Sequence, residues 1–586
     1  MERIEQLITD NLKRRNGSLC SSTPSHRLKL TFLGENEGPS HTTLPKPITK
    51  PNDDGRPGPV EAESPSFENV GRIYCAGYKL GDINMFHGVP FLSREGQKWI
   101  GFRADENDVP IGKHEAKGPL WQNRRPAWPR ASRPRTVADG RIQDLPPRAV
   151  VEKYLDLYHR SEASHAFPLA DPVLFPQTLD KAYDANLTGS LDALSAKACI
   201  VSFFALAASL LGDAATESQL PPVDILDGGS SAELLFLDIL NARASTEAVD
   251  ALMMQAVYQF TCGHFQPLDI TLSTASRFLF MLGAHLYPGE ELDLLPSEPQ
   301  SIETRTILHR RDLFWVCYSL DREITFRTGR PPIINDTSCD LTFPKWYLKQ
   351  RAADFDGNLR FPGDLGLSLI KSKAYEKLYS PHSLQKSDAE ILRDIRELDE
   401  LLENWRQSHP AESRPKLSFS LETQDSLCFE NMSVRYFLLQ LEYYHCMTTI
   451  HQASSRCKNW AHNHRVHEGL SSSLDLALES SRSLLSFLHA ADPVLVKIPN
   501  IFWVVLFYPV SATLVLFCNI LLNPSSASAA SDALLLRNCR DHITTQFYPH
   551  SGLSETQSLH LQSVYDFSAE VIRSAESLIT QSPAAG

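Results

Sequence analysis

The sequence predicts an all-α protein, a large irregular helical bundle preceded by a disordered linker and a short glycine-rich segment. From residue 145 onward apolar residues recur at spacings of three and four, and no stretch alternates with period two for long. The 586 residues are 42% hydrophobic and 22% charged, which is ordinary for a globular chain long enough to bury a large core.

The first 70 residues divide into two predicted parts. Residues 1–15 form a short amphipathic helix that is unstable alone and could serve as a dimerisation stub. Its apolar residues at helical spacing are Ile4, Leu7, Ile8 and Leu12. Residues 16–70 are rich in Ser, Pro, Gly and Asn without any period, which predicts a disordered linker. The amphipathic start lacks the apolar core of a secretory signal, which favours an intracellular protein.

Two further segments precede the helical body. In residues 71–108 glycines interrupt short apolar runs, which predicts a compact, turn-rich segment without a GxGxxG phosphate loop. In residues 109–143 arginines alternate with prolines and two tryptophans. This predicts a basic linker, and a nuclear-localisation or nucleic-acid-touching arm is the alternative. The weak basic candidates for DNA contact are Lys13, Arg14, Arg15, Arg124, Arg125, Arg130, Arg133 and Arg135.

The helical body is predicted to comprise residues 144–410, a loop at 411–424 and a C-terminal helical part at 425–580. The chain carries a net charge of −13, and residues 1–150 hold a slight basic excess, so the body is strongly acidic. Because an acidic surface repels phosphates, direct nucleic-acid contact is expected only from the N-terminal part or from outside this chain.

Enzyme signatures are missing from the sequence. There is no GxSxG elbow, GxxxxGK[ST] loop or HExxH helix, so no catalytic residue and no metal ligand is predicted. The cluster at His462, His464, His467 and Glu468 has spacings that favour a surface loop over a metal site. The eleven cysteines are scattered without a CxxC pair, which predicts free or structural thiols, most of them in the core. A helical enzyme with an unrecognised site stays as an alternative.

The uncharged segment Ile498–Pro524 is long enough to cross a bilayer as a helix. A single-span, membrane-anchored protein is therefore a second alternative. Pro509 and Ser511 interrupt the segment, and no basic cluster flanks it. These features favour a buried central helix, or two helices that meet near Pro509.

The stretch 310–344 is the most distinctive part of the body. Leu313, Cys317, Leu320 and Ile324 repeat at helical spacing, which predicts a buried face, while Asp321, Arg322, Glu323 and Arg327 can pair near the end of the helix. Gly329 is placed for a left-handed C-terminal conformation, and the two prolines that follow forbid continuation of the helix.

These residues resemble the central signature of the fungal-specific transcription factor domain, the helical regulatory region of fungal Zn2Cys6 zinc-cluster transcription factors. The resemblance covers roughly residues 71–522, excluding the basic insert. Further blocks, such as "GVPFLSREGQKWI" and "LEYYHCMTTIHQASSRC", follow in the same order. The signature residues are Arg311, Phe314, Trp315, Asp321, Arg322, Gly329, Arg330, Pro331 and Pro332.

The resemblance implies a nuclear regulator of genes transcribed by RNA polymerase II. Family members bind two zinc ions through six N-terminal cysteines and contact DNA with that module, but this chain has no such cluster. The chain is therefore expected to start just downstream of the cluster, through a truncated gene or gene model, or to regulate without a DNA-binding module of its own. The implied partners are DNA through another module, a second copy, co-regulator proteins and a small-molecule effector, without a membrane.

Overall fold

The computed structural model describes residues 71–83, 88–93, 96, 98–100, 145–161, 163–164, 167–187, 190–221, 239–241, 243–352, 364–411, 414–419, 432–457, 468–491, 502–547 and 555–581. All of them lie in one compact unit, Pro65–Gly586. The predicted segments 1–15, 16–70 and 109–143, with every basic candidate for DNA contact, lie outside the described residues. So do the three histidines of the 462–468 cluster.

Helices dominate the described residues, which confirms the predicted all-α class. The N-terminal helices are α1 Arg148–Arg160, α2 Phe175–Tyr183, α3 Leu191–Glu217, α4 Thr246–Thr261, α5 Phe265–Met281 and α6 Ile302–Thr328. The middle helices are α7 Lys345–Ala352, α8 Leu365–Ala374, α9 Asp388–Gln407 and α10 Val434–Gln452. The C-terminal helices are α11 Glu468–Ala490, α12 Phe502–Val505, α13 Phe507–Leu522, α14 Ala529–Phe547 and α15 Glu555–Gln581.

A small antiparallel sheet precedes the helices. Its strands, in the order β1-β2-β3, are β1 Gly71–Cys75, β2 Tyr78–Ile83 and β3 Pro90–Leu92. β1 and β2 form a hairpin whose two turn residues, Ala76 and Gly77, have φ of 49° and 82°, the backbone that a two-residue hairpin loop requires. The sequence indicated turns here but not the strands, because strands of five, six and three residues are too short for a clear period of two.

The sheet is attached to the helical body at its hairpin turn. The amide of Gly77 donates to the carbonyl oxygen of Ser455 at 2.7 Å, beyond the end of α10. On the side facing the helices, Ile73, Cys75 and Leu80 are at most 1% exposed. Burial of this face joins the sheet to the second of two cores.

Two clusters of buried apolar side chains form the body, and α6 contributes to both. The first cluster gathers residues of α1 to α6, and Leu313, Cys317, Leu320 and Ile324 belong to it at 0–3% exposure. This confirms the buried face predicted for them. The second cluster gathers the sheet with helices from α8 to α15, and it includes Phe326 from the last turn of α6. The helix therefore leaves the first core and enters the second.

Local signals set both ends of α6. The hydroxyl of Ser301 accepts from the amide of Thr304 at 3.0 Å and caps the N-terminus. At the other end Gly329 has φ of 72°, and its amide donates to the carbonyl oxygen of Thr325 at 2.8 Å. The predicted left-handed C-terminal glycine is thereby confirmed.

The long apolar segment lies inside the second core as two helices. α12 and α13 meet at Leu506, and Pro509 lies in the first turn of α13, where its missing amide hydrogen leaves no hydrogen bond unmade. The prediction of two buried helices is confirmed, with the junction three residues before the proline. By length and composition two stretches, Asp192–Leu211 and Phe502–Leu522, could cross a membrane, but each is 78% buried within the protein. Burial of this kind is that of core helices.

Candidate functional site

Arg311 of the signature lies in the first half of α6 with its guanidinium buried. It donates to the carbonyl oxygens of Asp340 at 2.5 Å and Ala284 at 3.2 Å. The same group lies 4.9 Å from the ring centroid of Phe314 and 5.2 Å from that of Trp315, within cation–π range. Burial lowers the pKa of Arg311 to about 10, so the group stays protonated at neutral pH. These contacts fix the segment after α6 against its own helix.

Asp321 and Arg322 form the second signature pair, and both side chains are at most 2% exposed. The carboxylate of Asp321 accepts from the amides of Ile333 at 2.9 Å and Ile334 at 3.0 Å. Arg322 donates to the carbonyl oxygen of Ile334 at 2.5 Å and to Asp336 at 2.7 Å. The predicted pairing is confirmed, and its purpose is to hold the loop 330–336 on α6.

The end of the signature turns the chain away from the helix. After Gly329, the guanidinium of Arg330 pairs with Asp269 of α5 at 2.8 Å. Pro331 is exposed and Pro332 is half-buried, and neither can continue a helix. The structure therefore distributes the signature over three neighbouring contacts, around Arg311, around Arg322 and at the turn, instead of gathering it at one pocket.

A chain of buried charges lies one turn further along α6. Glu323 accepts from Arg327 at 2.6 Å, from the phenol of Tyr508 at 2.9 Å and from the ammonium of Lys371. Lys371 donates in turn to Glu442 at 2.8 Å. The four charged groups of this charge chain come from α6, α8 and α10, and the phenol comes from α13.

The charge chain works because opposite charges offset the cost of burial. Burial alone would raise the pKa of Glu323, but Arg327 and Lys371 outweigh it and hold that pKa well below its usual range. Burial raises the pKa of Glu442, which forms an ion pair with Lys371 at 2.8 Å. A buried charge that lost its partner would be strongly destabilising. The charge chain therefore makes the position of α8 depend on the positions of α6 and α10.

Sequence reasoning found the pairing of Glu323 with Arg327 but missed Lys371, Glu442 and Tyr508. A signal for two of them was present. Lys371 stands in "LSLIKSKAY" and Glu442 in "LLQLEYYHC", each a charge inside an apolar helical stretch. Charges in such positions are rarely buried unless they are paired. Their partners lie 48 and 71 residues apart in sequence, which no local pattern reveals.

A cavity of about 950 Å³, counting its open mouth, adjoins the charge chain. It lies between the sheet and the helical body, and Arg327 and His445 form part of its wall beside the chain. His445 is 2% exposed, and its ring lies 5.4 Å, centroid to centroid, from each of Phe326, Phe507 and Tyr508. Burial lowers the pKa of His445 to about 3, so its imidazole is neutral.

Metal-ligating residues do not gather among the residues that the structure describes: no group of three or more His, Cys, Asp or Glu side chains there could hold an ion. The nine described cysteines are free thiols, and seven of them are buried, as predicted for core thiols. Burial raises the pKa of those such as Cys199, Cys317 and Cys446 well above that of a reactive thiol.

The described residues form an all-α body built around one buried, charge-bearing helix, with a cavity between that body and the small sheet. Residues 155–407 match the family model described as the fungal specific transcription factor domain. The match includes all nine signature residues, and it ends before Glu442 and Tyr508.

Curated relatives agree with this assignment. The chain is 30% identical over 347 residues to an ABC-transporter-regulating transcription factor of Aspergillus fumigatus, which covers 56% of this chain and 36% of the relative. It is 24% identical to an uncharacterized transcriptional regulatory protein of Schizosaccharomyces pombe over 69% of this chain and 51% of that protein. It is 26% identical to the fusaridione A cluster transcription factor of Fusarium heterosporum, over 50% and 54%. The chain thus spans about a third of the length of the first of these relatives. No solved structure matches the chain.

Proposed function

We propose that this protein is a nuclear regulator of transcription by RNA polymerase II in a fungus, that its helical body is the regulatory part, and that it is not an enzyme. The observation that carries the proposal is the fungal specific transcription factor domain at residues 155–407, together with relatives named as transcription factors or transcriptional regulators. The buried signature supports it, because Arg311, Asp321 and Arg322 hold the segment after α6 against the helix and so serve the fold.

DNA recognition is proposed to come from a module other than the helical body. The body is acidic, and the chain matches only 36% of the length of its Aspergillus relative, so sequence-specific contacts belong to another part or to a partner protein. In a gel-shift experiment the purified chain is expected to bind operator DNA weakly and without sequence preference. Tight, specific binding by this chain alone would contradict that expectation.

A reporter assay tests the regulatory function. The chain is fused to an unrelated DNA-binding domain and compared with that domain alone at the same operator. A regulator changes reporter transcription severalfold in either direction, since the proposal does not assign activation or repression. Reporter output equal to that of the DNA-binding domain alone, with the fusion present in the nucleus at the same level, would refute the proposal.

Target genes and partners form the finer part of the proposal. Because the Aspergillus relative is an ABC-transporter-regulating transcription factor, ABC-transporter genes are the first targets to examine, by comparing transcripts before and after deletion of the gene for this chain. A homodimer, a co-regulator protein and a small-molecule effector are the proposed partners.

A further inference from the structure

The cavity beside the charge chain has the lining of a small-molecule site. Apolar and aromatic side chains supply most of its wall, among them Ile73 from the sheet, Tyr379 from the turn after α8, and Phe507 and Leu514 from α13. An apolar or aromatic body would fit such a wall by replacing the water in contact with it.

Four lining residues each keep a buried polar atom that makes no hydrogen bond. These atoms are Nδ1 of His445, the phenol oxygen of Tyr375, Nη2 of Arg456 and Nη2 of Arg327, the last of which lies 2.6 Å from Glu323. Native proteins satisfy nearly all buried polar atoms, so these atoms leave room for a hydrogen-bonding group from outside the protein. A ligand with polar atoms at one end would supply it.

The charged side chains in the cavity wall indicate which sign of charge a ligand should carry. No acidic side chain occurs among the described residues that line the cavity, whereas Arg72, Arg327 and Arg456 do. Arg327 is already paired with Glu323. Arg456 donates from Nη1 to the carbonyl oxygen of Leu378, and this bond to a neutral group leaves its charge unbalanced there. Its charge is therefore available to an anion, and Arg72 adds an exposed positive charge on β1.

A second cavity, of about 530 Å³, lies beside Arg311 and does not share these properties. Its charged groups are paired within the protein, Arg305 with Asp171 at 2.8 Å and His309 with Asp250 at 2.7 Å. The wall is polar and its charges are balanced, so it shows no preference for a ligand of either sign.

We infer that the cavity between the sheet and the helical body binds a small amphipathic anion, with an apolar or aromatic body against α13 and a carboxylate or similar acidic group at Arg456. This deepens the proposed function, because such a ligand would be the effector of the regulator. Arg327 belongs both to the cavity wall and to the charge chain, and His445 lies beside it, so occupancy would bear on the contact of α6 with α8 and α10. The sheet would close over the ligand, since Ile73 and Tyr74 face the cavity from β1.

Three probes of one shape and different charge test the binding site. Naphthalene-2-acetic acid, 2-(2-naphthyl)ethanol and 2-(2-naphthyl)ethylamine are titrated into the purified full chain by isothermal calorimetry at neutral pH. The acid is expected to bind with a Kd on the order of 100 µM, as usual for a ligand of this size in a fitting site. It should bind about tenfold more tightly than the alcohol, through a charge-assisted hydrogen bond, and the amine should bind most weakly.

Two variants locate the site, each with a matched control. Arg456→Gln keeps a donor for Leu378 but removes the charge, so the acid should lose its tenfold advantage over the alcohol, whereas Arg393→Gln on the exposed face of α9 should change nothing. Ser511→Trp fills the cavity from α13 and should abolish binding of both probes, unlike Ser531→Trp on the surface of α14. Thermal unfolding of each variant shows that it is folded.

Several results would overturn the inference: no binding of the acid at millimolar concentration, an order of affinity in which the amine equals or exceeds the acid, or unchanged binding by Ser511→Trp. The reporter assay separates this failure from that of the proposed function. If the chain regulates the reporter but binds no probe, only the proposed ligand site is refuted. If it binds the probe but does not change reporter transcription, only the proposed regulatory function is refuted.

Discussion

The ammonium of Lys371 on α8 lies 2.8 Å from a carboxylate oxygen of Glu442 on α10, and both side chains are buried. Lys371 also donates to Glu323 of α6. One lysine therefore joins three helices that lie far apart in the sequence, at the point where α6 passes from one hydrophobic core to the other.

Replacing Lys371 by methionine is expected to lower the free energy of unfolding by about 3 to 5 kcal/mol, because Glu442 loses its partner while buried. Chemical denaturation measures the change. Lys373→Met, at an exposed position on the same helix, is the matched control and should stay within about 0.5 kcal/mol of the parent protein.

A double variant shows that the penalty comes from the unpaired carboxylate. Lys371→Met combined with Glu442→Leu should recover part of the lost free energy of unfolding, since apolar replacement of a buried pair is often neutral. If the effects of the two substitutions simply added, so that the double variant was less stable than Lys371→Met alone, this explanation would be contradicted.

Arg322 holds the loop 330–336 on α6, and we expect that only an arginine can do so at this position. Arg322 reaches Ile334 and Asp336 with one nitrogen, and its guanidinium carbon lies 4.3 Å from the ring centroid of Tyr318. Lysine cannot reproduce the planar fork and the stacking, so Arg322→Lys should cost about 1 to 3 kcal/mol of unfolding free energy. Arg393→Lys, at a side chain 70% exposed, should cost almost nothing. If the two substitutions lowered the free energy of unfolding equally, the contacts of Arg322 with the loop would not stabilise the protein.

Gly329 tests the backbone at the end of α6. Its φ of 72° is unfavourable for any residue with a Cβ, so Gly329→Ala should lower the free energy of unfolding by about 1 kcal/mol. Asparagine tolerates this conformation better, and Gly329→Asn should cost less than alanine does. Urea denaturation measures the stability of both variants. If Gly329→Ala were at least as stable as Gly329→Asn, the left-handed backbone at this position would not be the cause.

Acidification should destabilise the protein through His445. The folded protein keeps this imidazole neutral down to a pKa of about 3, whereas the unfolded chain binds a proton near pH 6.5. Between these values the unfolded state holds more protons, so stability falls as the pH falls. The charged and titratable groups around the ring are Glu323, Arg327, Lys371 and Tyr508.

His445→Phe isolates that contribution. Between pH 7 and pH 5 the parent protein should lose about 2 kcal/mol more than the variant, at about 1.4 kcal/mol per pH unit. The window stops at pH 5 because Glu323, whose pKa is lowered in the folded protein, begins to release its own stability as the pH falls further. Parallel pH profiles for the two proteins would show that His445 is not buried as a neutral ring.

Local and periodic features were predictable from the sequence. Gly329 and the prolines after it predicted the end of α6, since a left-handed glycine is a local requirement, and the spacing from Leu313 to Ile324 predicted the buried face. The signature was recognisable as residues, but not what each one does. Arg322 contacts a loop that follows it by fourteen residues in sequence, and only the folded chain shows that contact.

The sheet, the charge chain and the cavity could not be predicted in the same way. The strands of the sheet are too short for a period, and they become strands because Ile73 and Leu80 are buried against distant helices. Lys371 and Glu442 stood out as charges in apolar stretches, but their pairing is tertiary. A cavity is defined by what packs around it, and here the wall combines the sheet, the end of α6, α10 and α13.

We expect the buried charges to join α6, α8 and α10 into one cooperative unit. Native-state hydrogen exchange measures this cooperativity directly. The slowest amides of the three helices should exchange with the same free energy, equal to that of global unfolding from denaturant titration. If the slowest amides of α8 or α10 exchange through an opening at least about 2 kcal/mol below global unfolding while α6 stays protected, the charge chain does not join these helices.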